Sequence, residues 1–414
     1  MARFEGALAA ASAAAGVIPA AEAKAIEEAA RRASFDATAL AREARHAGTL
    51  AIPFVKGLIA QVAPGAARFV HYGATSQDVL DSAVALCLRS ASRRICDLAR
   101  ELGDAAAQLA RQHADTPTLA RTLLQPAQPA PFGWKAAMWL APLARSLPHF
   151  RAAAREACVL QFGGAAGTLS AFGQKGEQVA AALSRELDLA QAVTWHSARD
   201  AFARLGSETA VLAGIAGKIA RDVTLLMQPE IAEAAEPAAA GRGGSTSMPH
   251  KRNPSACMLA LEAAQRAPGL AATLLGQLGS EHERGIGQWQ SQWLTLREIS
   301  CASASALAAM GEVLKGLQVD VEAMRRNLER TQGLVFSEAL SLRSSRKLAD
   351  RLSAQALRLD RHLLEVARAD PEAQRAIPAG ELSELFKPEN AFGSAGAMIE
   401  RVLKDWATSR ESGS

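Results

Sequence analysis

At 414 residues the chain is longer than one compact core usually serves, so two or three domains or one very elongated unit are expected. It is 49% apolar but only 5% aromatic, with Tyr72 its single tyrosine, so small aliphatic side chains must carry most of the burial and close-packed helices are favoured over sheets. The net charge is +4, with arginines and acids interleaved along the chain, and this excludes the concentrated basic patch with aromatic platforms of a nucleic-acid binder.

From the N-terminus, residues 1–60 read as short helices broken by Gly16, Pro19, Gly48 and Pro53. The alanine-rich stretch Ala7 to Val17 has Glu5 where a secretory signal would carry positive charge, and no run reaches the ~18–20 apolar residues of a membrane span. A long helix is expected from about Thr75 to about Gln112, with Leu80, Val84, Leu88, Ala91, Ile95, Leu98 and Leu102 spaced by threes and fours. A second passes through Leu205, Leu212, Ile215, Ile219, Val223 and Leu226. A third covers about 255–278, where Pro268-Gly269 should bend it, and a fourth runs from about Trp293 to Leu314. Period-2 runs of β-branched residues are almost absent, and the class is all-α. Helices this long need partners along their whole length, inside a bundle or across subunits. The expected domains are an N-terminal helical domain over 1–88, a central long-helix bundle over 89–333 and a C-terminal helical domain over 334–414. Cys87, Cys96, Cys158, Cys257 and Cys301 form no CxxC pair and read as reduced thiols, which places the protein in the cytoplasm.

The most informative segment is Gly241-Arg-Gly-Gly-Ser-Thr-Ser-Met-Pro-His-Lys-Arg-Asn-Pro254. Glycines loosen its start and Pro249 and Pro254 stiffen its far end, as in a lid anchored at one side. Its hydroxyls, Lys251 and Asn253 suit gripping carboxylates and moving a proton. A polar solvated loop ahead of a helix is the alternative reading. A phosphate-binding loop fits poorly, because the GxxxxGK[ST] order is missing.

This segment resembles the GSSxMPxKxN signature of the fumarase/aspartase superfamily, with Thr246 in place of the second serine. His71-Tyr-Gly-Ala-Thr-Ser-Gln-Asp78 and Arg121-Thr-Leu-Leu-Gln-Pro-Ala-Gln-Pro129 are similar to that superfamily's two earlier blocks, in the same order. The resemblance implies a homotetramer whose long helices form one central multi-helix core, with each active site shared among three subunits. It implies that Ser245 transfers a proton beside Lys251, and that Asn253, Thr246 and Met248 contact substrate from the same loop. Thr75 and Ser76 would hydrogen-bond a substrate carboxylate, although Thr75-Ser-Gln-Asp78 also reads as a helix capping box. Gln125 and Gln128 would face the substrate from a second subunit.

Two departures place the chain within the superfamily. Amine-eliminating members carry a histidine where this chain has Leu123, and a partner glutamate where it has Met258. An amine or water must be protonated to leave, whereas a carboxylate of pKa near ~4 needs neither base nor acid. Leu160-Gln-Phe-Gly-Gly-Ala-Ala-Gly-Thr-Leu169, Trp195-His-Ser-Ala-Arg-Asp200 and Glu281-His-Glu-Arg-Gly-Ile-Gly-Gln-Trp289 look like the cycloisomerase branch, which lactonises a small tricarboxylate. His196 and Arg199 are then either contacts to a third carboxylate or a structural helix cap and ion pair. His282, Glu283 and Arg284 lack metal-ligand spacing, so no metal and no cofactor is expected, nor a nucleic-acid or membrane partner. A C–N lyase of the adenylosuccinate kind and a non-catalytic scaffold are the competing readings. The first would want a histidine at 123, and the second would fit loss of Ser245 or Lys251.

Overall fold

The computed structural model describes residues 1–238, 241–248 and 250–411, so Pro249 of the lid-like segment lies outside the described residues. Among those described, five helices are long: Ser76–Gln112, Phe132–Ala157, Asp200–Leu226, Ser255–Gly276 and Gln288–Lys315. Four of them follow the apolar periodicity. Phe132–Ala157 does not announce itself, because it carries Pro142 and Pro148 inside its length. Each proline lacks an N–H for the helical ladder, and tertiary packing overrides that local penalty. Pro53, read from sequence as a break, sits in the first turn of helix Ala51–Ile59, where an N–H would have had no intrahelical partner. The Ser255–Gly276 helix runs through Pro268 as one element.

The chain divides into two compact units. The first comprises Met1–Cys96, His149–Ala210 and Ala267–Cys301. Its core gathers Phe4, Leu8, Val79, Phe162, Leu183 and Trp289, and helix Ala2–Ala14 packs against both Ala20–Arg32 and Gly176–Leu187. The second comprises Asp97–Pro148, Val211–Arg266 and Ala302–Ser414. Within it, helices Asp200–Leu226 and Ser255–Gly276 approach so closely at Gly217 that a Cβ there would stand 2.3 Å from the Cβ of Ala264. Small residues thus do what the aromatic-poor composition requires. A further core of this unit, around Leu340, Leu352, Leu363 and Val366, holds the short C-terminal helices.

Among the described residues, two small antiparallel ribbons interrupt the helices. One pairs Ala234–Ala235 with Gln318–Val319. The other joins β1 (Pro117–Thr122) to β2 (Gln125–Pro131), with Thr122 opposite Gln125. Leu123 and Leu124 form its two-residue tip, with φ of 52° and 65°. A type I′ turn needs positive φ at both positions and usually takes asparagine or glycine there. The second sequence block is therefore a hairpin, and sequence reading missed it because its turn lacks the residues that mark one.

Candidate active site

In the first unit, the N-terminus of helix Ser76–Gln112 is organised by one carboxylate. Asp78, wholly buried, accepts from the backbone N–H groups of Thr75 at 3.0 Å, Gly163 at 3.0 Å and Gly164 at 2.9 Å, and from Nε2 of His196 at 2.7 Å. The Thr75 contact is the reciprocal half of the capping box expected from sequence. It leaves the Thr75 hydroxyl outside the box, where its oxygen accepts from Nη1 of Arg284 at 2.8 Å. Arg284 also donates from Nη2 to the carbonyls of Ala165 at 2.8 Å and Gly164 at 3.2 Å. A guanidinium and a helix N-terminus thus converge on Thr75 and Ser76, a setting that favours an anion.

Arg284 is held by its own loop. The Glu281 carboxylate accepts from the N–H of Ile286 at 3.0 Å and from Nε2 of Gln288 at 3.0 Å. Those donors, the backbone one first, hold the Glu281 carboxyl below its usual value. The His282-Glu283-Arg284 run is thereby a loop that aims an arginine, and only the fold reveals it. Among the described residues no group of three or more His, Cys, Asp or Glu stands where it could hold a metal ion.

His196 and Arg199 are both buried and both engaged by carboxylates of the chain. Arg199 donates from Nη1 and Nη2 to the two oxygens of Asp81 at 2.6 and 3.0 Å, and from Nε to Oε1 of Gln292 at 2.8 Å. Its guanidinium lies 4.7 Å from the ring centre of Trp195 and 5.0 Å from that of Phe202. Of the two readings that sequence left open, this geometry is that of the ion pair. The signal was present in the numbering: Asp78 and Asp81 stand three apart on a helix, as do His196 and Arg199 on the segment they meet.

In the second unit, the glycine loop brings Ser245, Thr246, Met248, Lys251 and Asn253 together ahead of helix Ser255–Gly276. The Asn253 N–H donates to the Gly243 carbonyl at 2.7 Å, which closes the loop on itself. Gly243 has φ of +68°, and a Cβ there would lie 2.3 Å from the Asn253 carbonyl oxygen. The Ser245 hydroxyl oxygen accepts from the Met248 N–H at 3.1 Å. A backbone donor aimed at this oxygen favours its deprotonated form. Thr246, Met248 and Lys251 are exposed. Behind the loop, buried Glu236 caps the following helix through the N–H groups of Cys257 at 2.8 Å and Ala256 at 3.2 Å. Burial first, then the hydrogen bond and charge of Glu236, push the Cys257 thiol up, so it is not a nucleophile.

The hairpin belongs to the same unit. Its base is fixed by buried Glu233, which accepts from Arg121 at 2.7 and 2.8 Å, from Asn327 at 2.7 Å and from Thr118 at 3.3 Å. Gln125 and Gln128 are exposed on β2, and Leu123 at the tip is 97% exposed. Met258 is likewise exposed on its helix. Leu123 and Met258 thus present apolar surface where amine-eliminating relatives would need an acid–base pair.

Long helices, a serine-bearing glycine loop and a helix N-terminus set for anions together define a helical enzyme of the lyase type. The chain belongs to the lyase family of the fumarase/aspartase superfamily, whose profile its residues 1–269 match. It is 47% identical over 413 residues to a 3-carboxy-cis,cis-muconate cycloisomerase of Bradyrhizobium diazoefficiens, covering 97% of this chain and 91% of that one. It is 40% identical over 424 residues to a nitrosuccinate lyase of Streptomyces davaonensis, covering 97% and 89%. The crystal structure of 3-carboxy-cis,cis-muconate lactonizing enzyme from Pseudomonas putida superposes with a TM-score of 0.92 at 38% identity, covering 99% of this chain and 94% of that one.

Proposed function

We propose that the chain is a cycloisomerase that converts 3-carboxy-cis,cis-muconate to 4-carboxymuconolactone in protocatechuate degradation. A carboxylate oxygen of the substrate adds to one carbon of a C=C bond, and a proton is delivered to the adjacent carbon. Nothing leaves, so the enzyme needs one proton donor and a means of holding the enediolate that forms before protonation. Ser245 gives that proton, and its alkoxide is held by the Met248 N–H. Lys251 and Asn253 steady the enediolate from the same loop, with Thr246 and Met248 beside them. Thr75 and Ser76 take a carboxylate, and Gln125 and Gln128 approach from the hairpin. The observation that carries the reading is the pairing of one N–H-supported serine with an apolar, exposed Leu123 in place of a second acid–base group.

The active form is a homotetramer in the cytoplasm, with sites shared among three subunits. Apolar side chains left exposed along three long helices, Val211, Met258, Leu259 and Leu294 among them, support an assembled bundle. No helix of the described residues is long and apolar enough to cross a membrane.

The test is direct. Loss of the conjugated-diene absorbance is followed with 3-carboxy-cis,cis-muconate, with nitrosuccinate and adenylosuccinate in parallel. Turnover of the muconate alone, abolished by Ser245→Ala, is expected. Release of nitrite from nitrosuccinate, without muconate loss, assigns the chain to elimination instead.

A further inference from the structure

His196 and Arg199 meet Asp78 and Asp81 as two rungs between one helix turn and the segment 195–199. Gln77 ties the rungs together, donating from Nε2 to Asp81 at 3.0 Å and to the His196 carbonyl at 2.8 Å. The rungs differ in what else they hold. The Asp81 oxygens are taken up by Arg199 and Gln77, both within the ladder itself. Those of Asp78 reach outward to the Thr75 N–H and to Gly163 and Gly164. The Gly164 carbonyl in turn receives Arg284, the guanidinium that meets the Thr75 hydroxyl. One buried carboxylate therefore fixes Thr75 directly and Arg284 through the glycine turn.

We propose that the His196–Asp78 pair is a positioning device for the substrate carboxylate. It sets the geometry of the Thr75, Ser76 and Arg284 corner without touching substrate, whereas the Arg199–Asp81 rung holds the fold. Nε2 of His196 shares one Asp78 oxygen with the Gly163 N–H, while the other oxygen accepts from the N–H groups of Thr75 and Gly164. With the imidazole removed, that first oxygen keeps only the Gly163 N–H, and the anchor common to both ends of the corner is held by backbone donors alone. This inference rests on the proposed substrate, because it assigns the corner to one of that substrate's carboxylates.

The experiment is a double-mutant cycle on steady-state constants with 3-carboxy-cis,cis-muconate. H196L and D78N each raise KM by about tenfold or more while kcat changes far less, because the corner holds a carboxylate and does not itself transfer the proton. The double variant is no worse than the poorer single one, the signature of residues that act through one contact. H196Q restores most of the lost affinity, since its amide still donates to Asp78. Additive effects in the cycle, or a H196Q variant as impaired as H196L, overturn the proposal and return His196 to direct substrate contact. If D78N does not fold, H196Q against H196L decides alone. A wild-type protein that leaves the muconate unchanged overturns the substrate reading and this inference with it. An active wild type with unchanged KM in H196L overturns this inference only.

Discussion

The side chain of Glu5 is entirely buried, and one of its oxygens lies 2.7 Å from Nδ1 of His71, four residues before Thr75. His71 adopts a left-handed backbone, with φ of 59°. Burial pulls its imidazole pKa down, but the hydrogen bond and charge of Glu5, aided by the charge of Asp78, outweigh this and leave it above the ordinary 6.5. A raised folded-state pKa means the pair's contribution is fully present below that ordinary value and is lost as pH rises through the folded one. His71→Gln should therefore lower the melting temperature most at about pH 5–6 and much less at about pH 8–9, the largest loss being on the order of 2 kcal/mol. Melting curves of both proteins across that range check it. A difference that is flat with pH would show that His71 is not charged in the folded protein.

The Arg199–Asp81 rung offers a contrast, because both side chains are fully buried. Arg199→Met leaves the Asp81 charge inside with Gln77 as its remaining donor. Such half-broken pairs typically cost about 3–5 kcal/mol, and replacing both partners by apolar residues costs much less. Urea unfolding of Arg199→Met beside Arg199→Met/Asp81→Leu tests this, with the double variant expected to be the more stable.

Gly243 is the residue through which the Ser245 loop closes on Asn253. Gly243→Ala brings a Cβ to within 2.3 Å of a backbone oxygen, at a φ that L-residues resist. The loop must move, and Ser245 lies two residues on. A fall in kcat/KM on the order of 10²-fold is expected, since displacements of about 1 Å at a reacting group have that effect. The loop carries little of the core, so the melting temperature should hardly change. Near-normal turnover would mean that the Gly243–Asn253 closure is not the active form.

The helices and the chemistry were legible in different ways. Four long helices followed from the spacing of leucines, valines and isoleucines, because burial of one face imposes that period. Phe132–Ala157 escaped, since Pro142 and Pro148 argue locally for a break and only packing says otherwise. The serine loop was legible because its residues are contiguous. Arg284 was not, because its partner Thr75 is 209 positions away. His196 and Arg199 were recognisable as polar residues with a purpose, but whether a substrate or the chain supplies their carboxylates is a matter of tertiary contact.

The hairpin tip is strained and exposed at once. Leu123 and Leu124 both hold left-handed φ, which costs a branched L-residue about 1–2 kcal/mol each, and both side chains are exposed, so the protomer gains no burial in return. Leu123→Asn with Leu124→Gly supplies the residues that such a turn prefers and should raise the melting temperature of the enzyme. If the apolar tip keeps water and stray acid–base groups from the enediolate of a neighbouring subunit, the same variant should lose kcat/KM while it gains stability. Stability and turnover must be measured on one preparation, with the oligomeric state checked by light scattering. A variant that is more stable, assembles normally and turns over the muconate at the original rate would show that the tip's strain serves no catalytic end. The substitution of leucine for an acid–base residue would then reflect the reaction's lack of need for one, not a need for leucine.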